Sequence, residues 1–115
     1  MDNIKDKKYY IKKVLEQLYD IKENTKDVSF EEFSHNKILL SAVSFWFVQA
    51  FENAKNLNID EFDDETKSTI IKLRGFRNLI VHEYGKVDVV GIYSISTIDV
   101  PVFIDKLEKE IRWEF

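Results

Sequence analysis

The chain has 115 residues, 44% of them hydrophobic, with nine Phe, five Tyr and two Trp, so it can bury one real core but is too short for two; an unfolded chain is excluded. It has no cysteine, which excludes disulfides, thiolate nucleophiles and cysteine-rich zinc sites, and its two histidines stand far apart, which argues against a metal centre and for chemistry without a cofactor. A net charge of −4 argues against coating nucleic acid by bulk electrostatics, which needs a basic face.

Taken in order, the first segment opens on Met1-Asp2-Asn3-Ile4-Lys5-Asp6-Lys7-Lys8, which lacks the apolar core of a signal peptide. No apolar run reaches the roughly 18 residues needed to span a bilayer, so the expected location is the cytoplasm. Ile4, Ile11, Val14, Leu15, Leu18 and Ile21 recur at steps of three, four and seven, predicting one amphipathic helix that ends near Asn24. Ser29-Phe30-Glu31-Glu32 has the form of a capping box and predicts a short helical turn.

From Asn36 to Leu57 the chain is apolar on almost every side, with Ile38, Leu39, Leu40, Val43, Phe45, Trp46, Phe47, Val48 and Phe51 among its residues. A helix apolar all round must be covered all round, and a second copy of the chain is the economical cover. Trp46, Phe45 and Phe47 therefore read as core and dimer interface.

Asp63 and Asp64 offer N-caps to a third long helix from about Glu65 to Tyr84, and Gly85 is suited to end it. Asp88 can cap a shorter helix through Ile95. Asp99-Val100-Pro101 then restarts a last helix, with Phe103, Ile104, Leu107 and Ile111 as its buried stripe. With only three Gly and one Pro to interrupt these patterns, the expected fold is all-α, a single domain forming an antiparallel bundle of four to five helices.

The chemistry concentrates in Arg77-Asn78-Leu79-Ile80-Val81-His82-Glu83-Tyr84. Arginine is charged at every physiological pH and matches phosphate geometry, while histidine gives or takes a proton near neutrality. Between Lys67 and Lys86 five basic residues face one acid, Glu83, which suits selective engagement of a short RNA or a nucleotide. On one regular helix Arg77 and His82 lie about 140° and about 7.5 Å apart, so they flank a site without converging on one atom. Either the helix loosens before Gly85, or a two-fold dimer brings two such pairs to one groove.

Asn78 shares the face of His82 and is placed to orient it or to contact phosphate, with capping or packing as the alternative. Arg77 lies near the apolar face of Leu73 and Phe76 and needs an acid partner such as Glu52 or Glu83, with Glu52 a candidate supporting residue. His35, among polar residues, reads as surface.

Arg77, four intervening residues, His82, one residue and Tyr84 resemble the signature of the HepT toxins, small helical domains of the HEPN superfamily. Gly75-Phe76-Arg77-Asn78 looks like the lead-in to that motif, and Glu52-Asn53-Ala54-Lys55-Asn56-Leu57 looks like the end of the family's preceding helix. The likeness covers roughly residues 35 to 111; Ala50-Phe51 departs from it where relatives often carry small residues. The resemblance implies a homodimeric, metal-independent endoribonuclease toxin paired with a minimal (MNT-type) nucleotidyltransferase antitoxin. It implies Arg77 and His82 as the catalytic pair and Tyr84 as the tyrosine that such antitoxins modify with AMP. The competing expectation is a catalytically silent helical partner of a nucleotidyltransferase.

Overall fold

The spacing of apolar residues accounts for the first helix, α1 (Asn3–Thr25), which buries Ile11, Val14, Leu15, Leu18 and Ile21 along one stripe. The computed structural model describes the backbone of residues 3–81 and 88–111 and the side chains of residues 7–77 and 88–111. In the last turn of α1 the buried Thr25 hydroxyl donates to the Ile21 carbonyl at 2.8 Å.

The expected capping box forms at α2 (Phe30–Ser34): the Glu32 amide donates to Ser29 Oγ at 3.1 Å and the Ser29 amide to Glu32 Oε1 at 3.2 Å. Phe33 is fully buried, and Tyr93 ties this short helix down by donating to the Val28 carbonyl at 2.7 Å while its ring meets Phe30 and Phe33. His35 is exposed, as expected, and its Nδ1 donates to the Glu31 carbonyl at 2.8 Å.

Asn36 caps α3 (Lys37–Ala54) through the Leu39 amide. The core takes Val43, Phe47, Ala50, Phe51 and Ala54, whereas Ile38 and Phe45 remain 84% and 59% exposed. Ile38, Phe45 and Glu52 are spaced by seven residues and therefore share one outward face. The apolar surplus read from the sequence is thus carried on the outside of the chain.

A short 3-10 turn (Ile59–Glu61) leads to α4 (Asp64–Val81), whose N-cap is Asp63, its Oδ1 accepting the Thr66 amide at 2.8 Å. That bond, first of all, holds the Asp63 carboxyl below its usual range. A depressed native pKa means that the cap's contribution is present above the unfolded-state value and is lost as pH falls through the native one. Thermal denaturation of Asp63→Asn is expected to lose this part of the acid sensitivity while the cap survives; an unchanged acid profile would refute it.

The last part of the chain departs from expectation. α5 (Val89–Ser94), a π-helical turn (Ile95–Asp99) and α6 (Val100–Glu108) run on without interruption, where two separate helices were expected. The Val100 amide bonds to the Ile95 carbonyl, five residues back, and this wider turn accommodates Pro101, which has no amide hydrogen to offer. Asp88 caps α5 through the Gly91 amide at 2.9 Å. A Cβ at Gly91 would stand 2.5 Å from the Asp88 carboxylate, so a larger residue there would displace the cap.

Four long helical segments close a ring: α1 packs on α3, α3 on α4, α4 on α6, and α6 on α1. Buried Leu, Ile and Phe side chains from all four fill the centre. Each such residue contributes about 1.5–3 kcal/mol through burial. Polar ties at the rim fix the ring: Tyr19 donates to Glu108 at 2.5 Å, Lys106 pairs with Glu65, and Lys7 pairs with Glu110 while lying over the Phe62 ring. Burial, then the bond to Glu108, push the Tyr19 phenol up to about 12. The described residues form helices and turns and no strand, so the chain is an all-α bundle.

Candidate active site

α3 and α4 are antiparallel where they matter: moving forward on α4 from Arg74 to Arg77 means moving back on α3 from Ala54 to Glu52. Arg74 is half-buried, and its Nη2 donates to two carbonyls at the end of α3, Ala54 at 2.9 Å and Leu57 at 2.6 Å. The Ala54 carbonyl also accepts the Leu57 amide at 3.0 Å, so the guanidinium joins the turn that follows α3, where a cation complements the helix dipole. Arg74 Nε is buried and finds no hydrogen-bond partner among the described residues.

One turn further on, Arg77 sits at the rim of the bundle, beside the buried Leu73 and the half-buried Phe76. Its Nη2 lies 3.7 Å from Glu52 Oε1, and the two side chains are 45% and 46% exposed. The Glu52 carboxylate is shared, its other oxygen accepting from Lys55 Nζ at 3.3 Å. Among the described residues Glu52, one of the acids open to it from the sequence, is the partner of Arg77. The pair is long and open to water, so a phosphate oxygen can take the place of the carboxylate.

The stretch of basic residues does not act as one patch. Lys67 pairs with Asp60 at 3.5 Å and Arg74 is occupied by carbonyls, while Arg77 is presented to solvent beside Glu52. The side chain of Asn78, and His82, Tyr84 and Gly85 altogether, lie outside the described residues. The helix carrying Arg77 is described through Val81, one residue short of His82. Sequence reading missed Arg74 as anything more than a member of a basic stretch; its signal was its place one helical turn before Arg77.

No group of three or more His, Cys, Asp or Glu positioned to hold a metal occurs among the described residues. None of the described helices is long and apolar enough to cross a membrane.

An all-helical bundle presenting an arginine at the foot of its motif defines the class, and comparison with known proteins gives the family. The description Ribonuclease HepT-like matches residues 14–110, so the chain belongs to the HepT-like ribonuclease family. Three proteins of Methanocaldococcus jannaschii, each named a putative RNase, are similar to it along nearly their whole lengths. One is 29% identical over 108 residues, covering 94% of this chain and 95% of its own. The other two are 27% identical over 108 residues, covering 94% of this chain and 93% and 89% of theirs. No solved structure matches significantly.

Proposed function

We propose that the chain is a metal-independent endoribonuclease of the toxin kind, acting as a homodimer with Arg77 and His82 as its catalytic pair. The observation that carries this reading is the state of Arg77: a half-exposed guanidinium, held by a single long contact to a carboxylate that already has a second cation. An incoming phosphodiester replaces Glu52 at little cost, and Lys55 remains to balance the released carboxylate.

The chemistry follows from the groups. His82, as general base, takes the proton of a ribose 2′-hydroxyl, whose oxygen attacks the adjacent phosphorus. Arg77 offsets the charge that builds on the pentavalent phosphate. The 5′-oxygen leaves with a proton supplied by an imidazolium, that of the second protomer in a shared groove. The products are a 2′,3′-cyclic phosphate and a 5′-hydroxyl. Asn78, four residues before His82 in the sequence, serves to orient the imidazole or to bind phosphate.

The outward face of α3, with Ile38 and Phe45, supplies the seam between two copies, and it leads to Glu52 and Arg77 at its end. In this reading the partner that silences the enzyme is an MNT-type nucleotidyltransferase, which adds AMP to Tyr84. A bulky anion two residues from His82 blocks the groove by volume and repels RNA phosphates. The protein and its RNA then meet in the cytoplasm.

The test is direct: purified protein, incubated with RNA in the presence of a chelator, is expected to leave 2′,3′-cyclic phosphate ends. RNA left intact by unmodified protein would remove the enzyme reading and favour a silent binding partner of the nucleotidyltransferase.

A further inference from the structure

We propose that Arg74 is a positioning residue of this site: by bridging the Ala54 and Leu57 carbonyls it fixes α3 against α4 so that Glu52 meets Arg77. The activity readout of this proposal rests on the ribonuclease reading, whereas its structural readout does not.

Three observations carry it. Arg74 and Arg77 are one turn apart on α4, and Ala54 and Glu52 are two residues apart at the end of α3, so the Arg74 contacts and the Arg77 contact are successive rungs between the same two helices. The rungs are unequal. Arg74 makes two charge-assisted bonds of 2.6 and 2.9 Å in a half-buried setting, while Arg77 makes one 3.7 Å contact between half-exposed side chains. The short rung therefore sets the geometry that the long one adopts.

The third observation is where the guanidinium points. One terminal nitrogen donates to two different carbonyls, beyond the last turn of α3 as well as within it, and Nε is buried behind it. Arg74 is thereby turned to backbone rather than to solvent, so it does not touch substrate; it acts through Arg77. Among the described residues no carboxylate pairs with it, so the α3 terminus holds it in place. A lysine keeps the charge and reaches at most part of this arrangement, because it lacks the planar fork.

The experiment compares Arg74→Met and Arg74→Lys with Glu52→Gln, following the Arg77 side-chain Nε–H resonance by NMR alongside RNA cleavage. In Arg74→Met the Arg77 resonance is expected to move further from its wild-type position than in Glu52→Gln, because the guanidinium itself is displaced as α4 shifts against α3, and not only its partner's charge removed. The kcat is expected to fall about 10²-fold, the scale set by a misplacement of about 1 Å, with KM for RNA unchanged. In an Arg77→Ala background the same substitution is expected to cost nothing further, since both act through one group. Arg74→Lys is expected to give intermediate values, and it decides by the same criteria where Arg74→Met does not fold.

An Arg77 resonance that stays in place in a folded variant overturns the proposal. So does a loss that multiplies in full with that of Arg77→Ala. A moved resonance in a protein whose wild type cuts no RNA supports the positioning role and removes the ribonuclease reading instead.

Discussion

Arg77→Ala is expected to lower RNA cleavage about 10²–10³-fold and His82→Ala about 10²–10⁴-fold, each with the helical fold retained. The expectation for Arg77 is clean because its structural share is small. A single 3.7 Å contact between half-exposed charges contributes about 0–1 kcal/mol to stability. Removing the guanidinium leaves Glu52 solvated and still bonded to Lys55, so no buried charge is stranded. A large loss of activity in a variant with unchanged thermal stability therefore reports on the transition state.

The kinetic pattern separates two roles for that cation. If Arg77 acts on the pentavalent phosphate, kcat falls together with kcat/KM; if it only binds RNA, KM rises alone. Glu52→Gln offers the opposite check, since it frees Arg77 without removing it, and it is expected to leave cleavage largely intact. Wild-type rates in Arg77→Ala would refute a catalytic role for this residue. In cells, the same substitutions are expected to relieve growth arrest on expression.

The helices were legible because their signals are local. The stripe of Ile11, Val14, Leu15 and Leu18, the Ser29 and Glu32 box, and the Asp63 and Asp88 caps depend on neighbours a turn away, and each forms as the spacing requires. The break expected at Pro101 does not occur, because a π-helical turn absorbs the missing amide hydrogen, and nothing local in the sequence announces that turn. That Arg77 needs an acid partner was legible from its helix face, and Glu52 was one of the candidates the sequence offered. The role of Arg74 was not legible, since it depends on where α3 ends: Leu57 reads as a continuation of the helix, yet α3 stops at Ala54, and the guanidinium takes the Ala54 carbonyl and that of Leu57 in the turn beyond it.

The surplus apolar surface of α3 leads to the second large effect. Phe45→Glu is expected to convert a dimer to a monomer and to abolish cleavage, while leaving the monomer's own stability within about 0.5 kcal/mol, as for other surface positions. Phe45 is 59% exposed and Ile38 84% exposed, so neither supports the core of its own chain in full. In a two-fold interface each substitution acts twice. Burial of the part of one Phe45 left exposed contributes about 1–2 kcal/mol, and two copies together about 2–4 kcal/mol. That loss weakens the dimer by roughly one to three orders of magnitude, before the repulsion of two facing carboxylates is added. Glu52 stands seven residues beyond Phe45 on the same face, about 10.5 Å along the axis, so whatever joins the two α3 faces also sets the distance between the two Arg77 guanidinium groups. Sedimentation at the concentration used for cleavage decides the matter: a wild type that cuts RNA as a monomer, or a Phe45→Glu variant that remains dimeric and active, would show that the groove between protomers is not where the chemistry happens.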